Sequence, residues 1–296
     1  GGVAVAAPLL VSCAREAGDK DDKDDKGSAG NAGSAAPSSK SPVPPPVTGE
    51  PGTLLDQKPI DTGIKGAKAW RIRYISRDVN DATTESSGLV IAPAGRGTNR
   101  DAACPSAQPD PARELITYFT PEATQQIDYG VPGLQGWIDD GWVVVATDYQ
   151  GLGTPGMHQY TVNITNARDG IYAAHAARKL EIDAGTNVGC AGWSQGGGAS
   201  AAIAELDGAD YGDLTLIGTV CMSPGVSKIA LEIPAGLTAA LTGAKVAPDS
   251  HLVMLFAGIQ AANPTKLQLS EAFSPLGVDI INTAWNTQPV HHLNDT

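Results

Sequence analysis

The chain has 296 residues and carries 20 Lys and Arg against 32 Asp and Glu, a net charge of -12. That acidic balance, with no basic patch to offset it, excludes a nucleic-acid partner. The content of 42% hydrophobic and 18% charged residues is that of an ordinary globular domain rather than a fibrous or membrane-embedded chain. Four cysteines occur without CxxC or Cys/His spacing, so no structural zinc site and no other metal is expected.

Residues 1–13, GGVAVAAPLLVSC, are apolar, rich in small residues and too short to cross a bilayer. They read as the end of an export signal, and a chain starting at Gly1 is expected to have lost its true N-terminus. Leu10-Val11-Ser12-Cys13 resembles the bacterial lipoprotein box, which makes Cys13 the expected lipid anchor; an ordinary export signal with a chance cysteine is the alternative. Residues 14–51 hold the run DKDDKDDK and then excess Gly, Ser, Ala and Pro. Such a stretch cannot bury enough apolar surface to offset its ordering entropy, so it is expected to be a disordered linker. The expected localisation is therefore extracellular or in the cell envelope, with membrane attachment through the anchor. Of the remaining cysteines, Cys104, Cys190 and Cys221, the last two lie in apolar runs and are expected to be buried. No disulfide pairing follows from the sequence.

A single domain is expected over residues 52–296. Ala69–Val79 places Trp70, Ile72 and Tyr74 on one face, a half-buried strand, and Asn80-Asp81 turns it back into Glu85–Ala92. Glu114–Thr120 is a further strand. Gln135–Asp140 is a short helix stopped at Gly141, and Trp142–Thr147 is a continuous apolar run of the kind buried on both faces of a parallel sheet. Ile164–Leu180 has helical spacing, with Thr165 or Asn166 as its cap. Asn187–Ser194 is a strand, Gly196–Leu206 a small-residue helix, and Leu214–Ser223 a strand again. An antiparallel hairpin followed by alternating strands and helices predicts an α/β domain with a mainly parallel sheet. Beyond Pro224, residues 225–296 are apolar and helix-prone through Ile229–Ala244, His251–Ala262 and Ser270–Asn286. They read as a helical, lid-like insertion riding on the sheet.

Two motifs carry chemistry. Gly192-Trp193-Ser194-Gln195-Gly196 fits G-x-S-x-G, a weak pattern alone, but here a strand ends at the serine and a glycine-rich helix follows. A tight turn of that kind needs glycines where side chains would collide, and the helix start offers N–H groups to a developing oxyanion. No Lys-Ser/Thr follows the glycines, which disfavours a phosphate loop. The second motif is Asp148-Tyr149-Gln150-Gly151-Leu152-Gly153, at the carboxyl end of the Trp142–Thr147 strand, where open α/β sheets bind ligands.

DGWVVVATDYQGLGTPG and GWSQGGGAS, about 40 residues apart and in that order, together resemble the secretory lipase family of fungi and actinobacteria, and PGTLLDQKPI is similar to it too. The resemblance implies an α/β-hydrolase fold and an exported serine esterase or lipase acting on acylglycerol-like or other carboxylic esters. By position it implies Ser194 as the nucleophile, with Asp148 and the Gln195 N–H as the oxyanion donors, and no cofactor. No HGG-type loop follows Glu114–Thr120, which fits use of the Asp148 turn instead. An Asp that donates to an oxyanion must be protonated.

The order Ser, Asp/Glu, His places the acid and base after the nucleophile. Only His251, His291 and His292 follow Ser194, and neither they nor Asp249 and Asp279 have a strand-then-loop setting. His158 and His175 precede it and are expected to be structural or exposed. The expectation is that the last strands of the sheet, the triad acid and the triad base lie beyond Thr296. Rival readings are an acyltransferase or peptidase on the same elbow, or a cell-envelope lipoprotein binding acyl chains beside a non-catalytic elbow.

Overall fold

The computed structural model describes residues 47–95, 113–119, 131–225 and 250–284. Among these residues seven strands form one sheet: β1 Leu54–Ile60, β2 Ala67–Arg77, β3 Thr83–Pro93, β4 Arg113–Phe119, β5 Val143–Thr147, β6 Ala184–Trp193 and β7 Thr215–Met222. Their spatial order is β1-β2-β3-β5-β4-β6-β7. The first three strands and the β3–β5 contact are antiparallel, whereas β5, β4, β6 and β7 run parallel. The expected hairpin is thus part of a three-stranded antiparallel edge, whose outermost strand β1 has exposed residues from Leu55 to Pro59.

The parallel part rests on β5, every residue of which is buried. Val143 and Val145 point into one core with Ile72, Tyr74, Ile171 and Ala174. Val144 and Ala146 enter the core on the opposite face with Leu89, Ile91, Leu134 and Ile138. This is why the sequence there is continuously apolar rather than alternating. Each of the three valines contributes about 1.5–3 kcal/mol by leaving water.

Short helix α1, Leu134–Asp139, ends where Gly141 takes φ +87°. Helix α2, Asn163–Ala177, packs between the sheet and the elements that follow β6, and its small residues are buried nearly all round. Its cap differs from expectation. Val162 holds the N-cap position, and Thr165 and Asn166 lie fully buried inside the first turn. Both are drawn inward by a partner: the Thr165 hydroxyl donates to Gln159 Oε1 at 2.6 Å and the Asn166 amide to the Gln159 carbonyl at 3.3 Å. After β6 come α3, Gln195–Ala202, a 3₁₀ turn Ile203–Glu205, and α4, Gly208–Tyr211.

At the other edge, β7 departs from the expected buried strand. Ile217 is 48% and Val220 55% exposed, because β6 is its sole partner strand among the described residues. Cys221, expected to be buried, is exposed there, while Cys190 on β6 is buried. Burial pushes the Cys190 thiol far above its usual range, leaving it inert.

Helices α5 Ser250–Ala262, α6 Leu269–Ala272 and α7 Pro275–Ala284 form the predicted helical region. Their apolar cluster of Met254, Leu255, Ala257, Leu269 and Ile281 closes on Tyr160, with Met157 beside it. Asn80 Nδ2 donates to the Ala262 carbonyl at 2.8 Å. The unit therefore docks on the loop before α2 and on the β2–β3 turn rather than on the sheet face. The expected helix Ile229–Ala244 lies outside the described residues, as do residues 1–46. Among the described residues no helix is long and apolar enough to cross a membrane.

Candidate active site

Ser194 stands between β6 and α3 with φ +56° and ψ -114°, a conformation that a non-glycine residue holds only when its surroundings impose it. Three backbone bonds impose it here. Ser194 N–H donates to the Met222 carbonyl at 3.0 Å, and its own carbonyl accepts from Gly198 N at 3.1 Å and Gly225 N at 3.0 Å. A Cβ at Gly192 would sit 2.2 Å from the Gly196 carbonyl oxygen, so the turn closes only around a glycine. A Cβ at Gly197 would lie 2.5 Å from the Met222 carbonyl oxygen, and one at Gly198 would lie 2.7 Å from Asn163 Oδ1. These glycines let α3 seat against β7 and α2. The Gln195 N–H opens the helix, where unpaired donors and the positive end of the helix dipole favour a negative charge.

Register places the second motif level with the first. On β4, Phe119 pairs with Thr147 of β5 on one side and with Gly192 of β6 on the other. Asp148 and Ser194 therefore follow parallel strands at the same carboxyl edge, with one strand between. At a strand spacing of about 4.8 Å the two strand ends lie roughly 10 Å apart. Asp148 Oδ2 accepts from Ser87 Oγ at 2.7 Å. Burial pushes the Asp148 carboxyl above its ordinary pKa, against the pull of the Ser87 hydrogen bond and the Arg71 charge. Tyr149 follows with φ +67°, and Gly151 turns the chain at φ +78°, where a Cβ would strike His158 N at 2.4 Å.

Beneath both motifs runs a buried polar network with no local pattern to announce it. Asp169 on α2 accepts from Ser86 Oγ at 2.7 Å and from Gln150 N–H at 3.0 Å. Burial raises its pKa to about 6. The Gln150 carbonyl lies 3.0 Å from His158 Nδ1, and His158 Nε2 lies 2.8 Å from Gln195 Nε2. Gln195 Nε2 also donates to Asn166 Oδ1 at 3.2 Å.

The histidines resolve as follows. His158 is buried with both ring nitrogens engaged, and desolvation pulls its pKa down to about 4. His175 Nε2 faces the Asp210 carbonyl at 3.2 Å. His251 is exposed at the start of α5. Among the described residues no histidine is hydrogen-bonded to Ser194 Oγ. His291 and His292 lie outside them. Asp279, on α7, is exposed, and Asp249 is outside the described residues. No group of three or more His, Cys, Asp and Glu that could hold a metal ion occurs among the described residues.

Comparison with known proteins agrees with the resemblance read from the two motifs. Residues 119–247 match the family described as secretory lipase. The rice cell wall degrading esterase LipA from Xanthomonas oryzae is similar in structure, with TM-score 0.59 and 19% identity over 83% of this chain and 70% of its own. Candida antarctica lipase A is similar at TM-score 0.55 and 16% identity, over 79% of this chain and 54% of its own. Its closed state gives TM-score 0.53 over the same shares. No curated protein matches the sequence. The chain thus shares the α/β-hydrolase-like fold of these structures.

Proposed function

We propose that the chain, which matches the secretory lipase family over residues 119–247, is an exported serine esterase or lipase that hydrolyses carboxylic esters through an acyl-enzyme on Ser194. The observation that carries this reading is the backbone of Ser194 at φ +56° between a strand and a helix within that matching segment. Strain of this kind is kept where it projects a side chain for use. Ser194 Oγ would attack the ester carbonyl, and the negative oxygen so formed would meet the Gln195 N–H and the protonated Asp148. Ser87 donates to one carboxyl oxygen of Asp148, which leaves the other free to carry the proton, and burial favours that proton. Loss of the alcohol leaves the acyl-enzyme, which water then hydrolyses to the acid and free Ser194.

A serine hydroxyl needs a general base at neutral pH. His158 has both nitrogens occupied, so we assign neither acid nor base to a described residue; labelling of Ser194 in this chain would turn the search to His291 and His292. The helical unit α5–α7, with its apolar cluster, is read as part of the cover for a lipid-like acyl chain. The attachment of the chain to a membrane through Cys13 is supported by the Leu10–Cys13 pattern and the charged linker behind it.

A fluorophosphonate probe, with adducts mapped by mass spectrometry, tests the central step. Labelling confined to Ser194, lost in Ser194→Ala and after heat denaturation, is the expected result, together with hydrolysis of a p-nitrophenyl ester by the unlabelled protein. Absence of both, in this chain and in one extended past Thr296, would overturn the reading and favour a lipoprotein that binds acyl chains beside an idle elbow.

A further inference from the structure

The ring of His158 joins the two motifs through atoms whose roles can be fixed one by one. The Gln150 carbonyl oxygen, 3.0 Å from Nδ1, can only accept, so Nδ1 carries the proton. At the other end of the network the Gln159 carbonyl can only accept, so it is Asn166 Nδ2 that faces it. Asn166 Oδ1 is then the atom turned to Gln195. Gln195 must present its nitrogen to that oxygen, and the same nitrogen donates its second proton to His158 Nε2 at 2.8 Å. Two backbone carbonyls, those of Gln150 and Gln159, nine positions apart along the chain, thereby determine both amide orientations and the imidazole tautomer. Nothing in the chain of bonds is left to rotate freely, and the ring is fully enclosed between Tyr149 and Tyr160, at centroid distances of 5.4 and 6.1 Å.

We propose that His158 is a positioning residue that locks the Asp148 turn to the Ser194–Gln195 elbow and so fixes the spacing of the two oxyanion donors. The proposal rests on the hydrolase reading of that site. Gln150 lies two residues after Asp148, and Gln195 directly follows Ser194. The β5–β4–β6 ladder sets the strand ends about 10 Å apart, but it stops at Phe119 and does not hold the turns that follow them in place. One neutral ring bonded to both segments does. Desolvation keeps the ring uncharged down to about pH 4, which preserves Nε2 as an acceptor. The intact turn also explains the glycine at 151, whose missing Cβ lets the His158 backbone approach.

The test compares His158→Phe, Gln195→Leu and the double variant with the wild-type chain, using steady-state hydrolysis of a soluble p-nitrophenyl ester and thermal melts. Loss of a whole oxyanion donor costs about 10²–10³ in kcat, so a displaced one is expected to cost roughly 10–100-fold. KM should stay within about threefold, because the donors act on the transition state rather than on bound ester. The double variant should be no slower than the slower single one, since each breaks the same bridge. A residue that merely fills space would lower the melting temperature without that split. If His158→Phe does not fold, Gln195→Leu breaks the same bond with the ring in place and is read by the same criteria. Folded variants with unchanged kcat, a loss confined to KM, or losses that multiply in the double variant would overturn the bridge and leave the hydrolase reading intact. A wild-type chain that is inert and takes no fluorophosphonate, even when extended past Thr296, would overturn both.

Discussion

Asp169 and His158 are two buried titrating groups that share one intermediary, Gln150, and their pH effects on stability have opposite signs. Asp169 has a folded pKa of about 6 against 3.8 for the free side chain, raised mainly by burial, with Asp78 adding to it and the Ser86 and Gln150 hydrogen bonds opposing. Between these values the folded state holds a proton that the unfolded chain has released. Its contribution is therefore present in acid and lost as pH rises through 6. His158 has a folded pKa of about 4 against 6.5. In its window the unfolded chain holds the proton, so its contribution is lost as pH falls. Each window is worth about 3 kcal/mol at 1.36 kcal/mol per unit, and the two nearly cancel between pH 4 and 6. Asp169→Asn removes one of them while an amide can still accept from Gln150 N–H. The stability difference, variant minus wild type, is expected to rise by about 3 kcal/mol between pH 4 and 6.5. Urea midpoints across that range measure it. Parallel curves for the two proteins would show that Asp169 does not titrate as described.

At the scale of elements, two glycines, one near the end of β6 and one inside α1, should respond in opposite directions. Gly192→Ala drives a methyl group to 2.2 Å from the Gly196 carbonyl oxygen. Backbone atoms on both sides cannot retreat without opening the elbow, so a loss of about 3 kcal/mol or more is expected, with fluorophosphonate labelling abolished. Gly136→Ala in α1 meets nothing within 4 Å at an ordinary helical backbone angle. It should add up to about 1 kcal/mol through helix propensity. Chemical denaturation of both variants checks the pair, and a stabilising Gly192→Ala would sink the steric account of the motif. The same contrast explains what a linear sequence makes legible. The elbow is readable because its constraint is local, five residues long, and written in glycine. β5 is readable because burial on both faces leaves an unbroken apolar run. β1 is not, since an edge strand with exposed Leu55–Pro59 carries no hydrophobic alternation. Thr165 and Asn166 look like caps by type, and only Gln159, folded back over the helix start, turns them inward. The His158–Gln195 bond spans 37 positions, and neither residue type announces it. Cys221 sits in a run as apolar as that of Cys190, but one strand nearer the edge.

Across the molecule, the helical unit meets the loop before α2 at a tight contact. A Cβ at Gly258 would lie 2.5 Å from Tyr160 N and 2.6 Å from Tyr160 O, so α5 rests directly on the backbone of the loop that leads into α2. Tyr160 is two residues from His158 and stacks edge-on beside its ring, 6.1 Å between centroids. Two consequences follow from one substitution. Gly258→Ala must lift α5 away from the loop, because a peptide backbone cannot yield by a rotamer change as a side chain would. The cluster of Met254, Leu255, Leu269 and Ile281 then loses its Tyr160 partner, and local opening becomes easier by about 2 kcal/mol, or roughly 30-fold in amide exchange. Exchange should accelerate across Ser250–Ala262 while β5, buried on both faces by other elements, keeps its protection. Ester turnover should fall as well, because the loop that holds His158 loses the surface it leans on. Hydrogen exchange followed by mass spectrometry, read beside the kinetics, separates the outcomes. A uniform loss of protection in α5 and β5 would mean that the helical unit and the sheet unfold as one. Faster exchange in α5 with unchanged turnover would mean that the His158 bridge holds without support from the helices.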